Sequence, residues 1–126
     1  MPVLLDPDFS LEIIFHLTKT NRLTAPPHFT AYSSTKCDGT NPFLLHISDL
    51  QRDLTVNITS LYAVGAEAVE GFSKLPDHIS KTSIFVGNKQ SNYFVVPMLV
   101  SLGMGKCAAA YLMENAAKAF GELPYR

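Results

Sequence analysis

Few residues in this chain can move a proton, donate to a carbonyl or hold an ion. Lys106 lies in an apolar stretch, where a dry setting lowers an amine's pKa and makes it a base. The plainer reading is an aliphatic stem laid along apolar surface with its ammonium in water. Asn88 follows Ile84, Phe85, Val86 and Gly87. That is the carboxyl end of an expected strand, and open α/β sheets bind ligands at that edge. An asparagine after glycine is equally a turn former. Tyr93, Phe94 and Tyr111 can line an apolar substrate pocket or serve as packing alone.

Other chemistries find no foothold. The four histidines, His16, His28, His46 and His78, form no i,i+4 pair and no H-E-x-x-H pattern, so no metal site is expected. Cys37 and Cys107 fit no metal spacing. Ser83, Ser91 and Ser101 lack a nucleophile elbow, and Cys107 has no histidine beside it.

The elements that must position these residues are legible in part. Ser48 and Gln51 have the form of a capping box, and Asp49 suits the positive end of a helix. Leu50, Leu54, Ile58, Leu61, Ala68 and Phe72 then recur at helical spacing, which predicts a helix over 49–73. Pro76 follows it. Residues 81–86 read as a short buried strand ended by Gly87 and Asn88. Pro97 suits the first turn of a second helix over 98–120, with Gly121 as its stop. Glycines and alanines crowd that helix and let another backbone come close. Upstream, 11–17 is read as a strand, with a short helix capped by Ser10 as the alternative. Pro26, Pro27 and the stretch 33–42 read as loops.

At 126 residues the chain has room for one domain. Hydrophobic residues make up 47% and charged ones 17%, so apolar surface should remain exposed and favour self-association. Net charge is −1 with no basic stripe, which argues against nucleic acid. The longest apolar stretch, 98–113, is interrupted by Ser101, two glycines and Lys106. A membrane span needs about 18 such residues. The N-terminus shows no secretory pattern. The expectation is a cytoplasmic protein with reduced thiols, in which the glycosylation triplet at Asn57 carries no meaning.

The order of features from Asn41 onward resembles the fungal branch of the short-chain dehydrogenase/reductase family. The resemblance rests on Asn41-Pro42-Phe43, on Asp49-Leu50-Gln51-Arg52-Asp53-Leu54-Thr55-Val56-Asn57, on Lys81-Thr82-Ser83-Ile84-Phe85-Val86-Gly87-Asn88, and on Leu102-Gly103-Met104-Gly105-Lys106-Cys107-Ala108-Ala109. It implies that Lys106 is the family lysine and Asn57 the asparagine that organises water beside it; the plainer reading of Asn57 is that it caps a local bend or bridges to a neighbouring carbonyl. The departures are specific. Residues 1–45 match poorly and hold one glycine, Gly39, where the family would bind its dinucleotide on a glycine-rich turn. Leu102 stands where the tyrosine is expected, and Lys89 where the serine is expected. The chain ends at Tyr125 and Arg126, short of the family's sixth strand.

The resemblance implies a single α/β domain over 1–126: a truncated Rossmann-like unit, with 46–126 the family-like region. A small, mostly parallel sheet should carry two long helices. Hydride transfer needs a held cofactor and an acid, so no cofactor is expected. The expected function is non-redox: a container that cyclises a hydrophobic intermediate, a [4+2] Diels–Alder-type closure included. Asn57, Asn88 or Lys106 would hydrogen-bond a substrate carbonyl, and Tyr93, Phe94 and Tyr111 would contact the apolar substrate. The alternative is a non-catalytic dimeric module or the remnant of a dehydrogenase. A homodimer is expected through the helices near 49–73 and 98–120.

Overall fold

The computed structural model describes residues 13–18, 28–29 and 32–121. The expectations for Pro26, Pro27, Ser10 and the two termini lie outside these residues. Strand β1 (Ile13–Thr18) is central to a sheet, between β2 (His28–Phe29) and β3 (Ser80–Phe85). Both pairings are antiparallel: Ile13 faces Phe85 and Thr18 faces Ser80 across one, and Ile13 faces Phe29 across the other. The strand expected at 11–17 is thus present as β1, but the mostly parallel sheet is not found among the described residues. Strand direction depends on where the connection returns the chain, which a strand's own residues do not encode. The burial pattern agrees. Lys81 is buried, Ser83 lines a groove and Phe85 joins the core, while Ile84 on the opposite face is 44% exposed. The buried strand expected at 81–86 is buried on one face only, as antiparallel sheets allow.

The α-helices among the described residues are α1 (Ile47–Leu54), α2 (Ser60–Ser73) and α3 (Val100–Phe120), and α2 and α3 pack on that face around Phe85. The single helix expected over 49–73 is interrupted by a π-helical turn at Thr55–Thr59. Four of its five residues are β-branched (Thr55, Val56, Ile58 and Thr59), and β-branched side chains crowd the preceding helical turn. Ser60 repairs the wider turn: its amide donates to Thr55 O and its hydroxyl to Val56 O. Leu61, Val64, Ala68 and Phe72 then lie along one face of α2. They meet Ala109 and Leu112 of α3, together with Phe85, in the apolar core.

Helix ends differ from expectation in detail. The Ser48–Gln51 capping box does not form; His46 is the N-cap and the Leu50 amide donates to its carbonyl at 3.0 Å. A 3-10 turn at Pro42–Leu44, capped by Asn41, delivers the chain two residues earlier than the box requires. Pro97 opens a 3-10 turn, Pro97–Leu99, that runs directly into α3. Gly121 is the C-cap of α3, but with φ −62 it stays right-handed. No helix among the described residues is long and apolar enough to cross a membrane.

Candidate functional site

Asp53 and Asn57 lie four residues apart, one turn along the same helical face, and so do Ser101 and Gly105 on α3. The two faces meet in register. The Ser101 hydroxyl donates to Asp53 Oδ2 at 2.6 Å. One rung on, a Cβ on Gly105 would come within 2.6 Å of Asn57 Cβ, so only glycine fits there without displacing Asn57. The next rung joins Leu61 and Ala109 in the core cluster. Asp53, Asn57, Ser101 and Gly105 are all buried.

A loop seals this seam. The Ser33 hydroxyl donates to Asp53 Oδ1 at 2.5 Å and the Thr35 amide to Oδ2 at 2.7 Å. Arg52 reaches the same carboxylate at 3.4 Å and donates to Thr35 Oγ1 at 2.6 Å. Asn57 clasps the backbone of Ser33 from both sides: its Oδ1 accepts from the Ser33 amide at 3.2 Å, and its Nδ2 donates to the Ser33 carbonyl at 2.6 Å. The side chain spends one donor and one acceptor as a strand neighbour would. Burial by itself raises the Asp53 pKa, but the Ser101 and Ser33 hydroxyls and the Thr35 amide outweigh it and hold the carboxyl below its ordinary value of 3.8.

Lys106 sits one residue beyond Gly105. Its Nζ lies 5.1 Å from the Phe85 ring centroid and donates to Val86 O at 3.4 Å, at the carboxyl end of β3. Burial lowers its pKa below the ordinary 10.5. Leu102, one turn earlier, is 3% exposed. Asn88 caps a 3-10 turn, Lys89–Asn92: its Oδ1 accepts from the Gln90 amide at 2.9 Å, and its own amide donates to Ser91 Oγ at 3.2 Å. The structure thus brings Lys106 to the edge that Asn88 terminates, while Asn57 turns to Ser33.

The aromatic candidates lie outward. Tyr93 is 81% exposed and takes a left-handed φ of 63 at the end of that turn. Phe94, 58% exposed, has Lys89 Nζ at 5.9 Å from its ring. With Val95 and Met98 they form an exposed apolar run between Asn88 and α3. Tyr111 is 70% exposed, further along α3. None of the three lines the apolar groove of about 690 Å³ between α2 and the C-terminal half of α3, whose walls include Tyr62, Gly65, Val69, Met113, Ala116 and Phe120, with Ser83 of β3 also lining it. No cluster of three metal-ligating side chains occurs among the described residues.

Sequence reasoning passed over Asp53, Ser33 and Ser101. The usable signal was the i,i+4 pairing of polar or small residues, Asp53 with Asn57 and Ser101 with Gly105. Ser33 carried no signal, because its partners lie 20 and 24 residues away.

Over 86 residues the chain is 33% identical to dmxR12 of Cryptosporiopsis sp. (strain 8999), a short chain dehydrogenase/reductase. The matched stretch is 68% of this chain and 35% of that protein, so the chain spans about a third of its relative's length. The likeness supports a short-chain-dehydrogenase-like chain. No family model matches it, and no solved structure does.

Proposed function

We propose that the chain uses a short-chain-dehydrogenase-like scaffold for non-redox, cofactor-independent work on a hydrophobic small molecule. The site is the carboxyl edge of β3. The observation that carries this reading is Lys106, a partly desolvated amine held 3.4 Å from Val86 O beside Phe85, with buried Leu102 where a proton-donating tyrosine would stand. A leucine cannot protonate an alkoxide, but an ammonium can donate to a substrate carbonyl and withdraw electron density from a conjugated system. The exposed run Tyr93, Phe94, Val95 supplies apolar contact beside it, and Tyr111 extends that contact along α3. Asn88 shapes the edge by capping its turn, and Asn57 contributes by fixing Ser33. Cyclisation suits such a site. A [4+2] closure converts two π bonds into two σ bonds within the substrate and needs neither electron donor nor net proton transfer; confinement and carbonyl activation lower its barrier.

The groove between α2 and α3 favours a second reading, a non-catalytic module that dimerises through these helices. Its walls are apolar and built on small residues, which suit close helix packing across a twofold axis.

A ligand-difference thermal scan separates the two. Conjugated polyene and terpenoid aldehydes are expected to stabilise the protein while NADPH does not, and Lys106→Ala should abolish the aldehyde response. Stabilisation by NADPH would sink the non-redox reading. A dimer that responds to no compound would favour the module.

A further inference from the structure

We infer that Asp53 is a positioning residue for Lys106, setting through Ser101 and Ser33 where α3 presents that amine. This rests on the Lys106 reading above.

The argument is one of directional against non-directional contact. Beyond the seam, α3 meets the 89–92 turn through one thiol bond, Cys107 Sγ to Gln90 O at 2.9 Å. It meets α2 through Ala109 and Leu112, apolar surfaces that by themselves let a small-residue helix slide or rotate. Hydrogen bonds to a fixed carboxylate do not allow this, because they weaken steeply with angle and distance. Asp53 is fully buried and accepts from two separate elements at once: Ser101 of α3, and Ser33 and Thr35 of the loop. Its own helix carries Arg52, the charged group facing it.

The second rung transmits the register. Ser33, held by Asp53, is clasped by Asn57, and Asn57 abuts Gly105, where a Cβ would find no room. Lys106 is the next residue. A rotation of α3 that broke the Ser101 bond would therefore carry Nζ away from Phe85 and Val86. Neither Asp53 nor Ser101 needs to touch a substrate for this role.

The test reads the amine itself. The pH dependence of Lys106 acylation by acetic anhydride is followed by peptide mass spectrometry, with exposed Lys118 as internal reference and far-UV circular dichroism as the check on folding. In the native protein the Lys106 midpoint should lie below that of Lys118. Asp53→Asn and Ser101→Ala should each move it up towards Lys118, as water reaches the amine. A shift of about half a pH unit corresponds to about a threefold fall in the neutral-amine fraction well below the midpoint. Val69→Ala, a change in the groove away from both the seam and Phe85, should leave Lys106 where it was. A Lys106 profile that coincides with Lys118 in the native protein overturns the Lys106 reading itself. A depressed native midpoint that neither folded variant moves, or that Val69→Ala moves equally, overturns the positioning role alone. If Asp53→Asn does not fold, Ser101→Ala decides, because it removes one donor and leaves the carboxylate with Ser33 and Thr35.

Discussion

The two ends of the contact between the long helical arm and α3 are built on opposite principles. At one end Asp53 and Asn57 meet Ser101 and Gly105 in a seam with no room for a Cβ, roofed by Ser33 and Thr35. At the other, past Leu61 and Ala109, the helices part around an apolar groove of about 690 Å³, where a Cβ on Gly65 would meet nothing within 4 Å. α3 packs closely on α1 and the π turn, and only loosely on α2. The extra residue in the π turn changes the phase of the helix between the two ends, as single-turn π insertions do. Polar, directional bonding fixes one end; apolar surface with freedom to accept a partner remains at the other.

The largest blow to this contrast should come from Asp53→Ala. Ser33, Ser101 and Thr35 would be left with buried donors facing a void, and the expected loss is about 3–5 kcal/mol of unfolding free energy in urea titrations. A loss no greater than that of an ordinary surface change would mean that the seam does not hold the fold.

A pair of identical substitutions sharpens the comparison. Gly105→Ala should cost about 1–3 kcal/mol, because its methyl must displace Asn57. Gly65→Ala, two rungs further from Gly105 along the arm, should stabilise by about 0.5–1 kcal/mol through helix propensity. Thermal melts with the same sign for both would remove the distinction between a closed and an open end.

Acid should loosen the seam before it affects the groove. The folded-state pKa of Asp53 lies below 3.8, so its contribution is complete above the unfolded value and is lost as pH falls from about 3.8 through the folded value. Urea midpoints of the native protein should fall through that window, and those of Asp53→Asn should fall less. The smallest effect belongs to the groove. Ala116→Leu should alter stability by no more than about 0.5 kcal/mol while weakening dimerisation seen by analytical ultracentrifugation; an unchanged association would place any interface elsewhere.

How far these features were legible varies with the range of the interaction behind them. The helix over 98–120, the strand at 81–86 and the punctuation by Pro97 follow from periodicity and turn chemistry, which act within a few residues. The resemblance to short-chain dehydrogenases put Lys106 on the helix that follows the strand, and α3 carries it; that its Nζ reaches Val86 O was not legible. The π turn was only half visible: the β-branched run 55–59 can be read, but its effect depends on Ser60 and on what packs against Asn57. Ser48 and Gln51 had the form of a box that a 3-10 turn upstream pre-empts.

By itself, then, the sequence determined most of the helical content, the strand between the helices and the crowding of small residues on α3, since each is a property of neighbouring side chains. Only the tertiary structure decided the antiparallel pairing of β1 with β3, the clasp of Asn57 on Ser33 and the burial of Asp53 among donors up to 48 residues away. A carboxylate is exposed by default, and it stays buried only when groups from elsewhere in the chain arrive in the right directions to replace water.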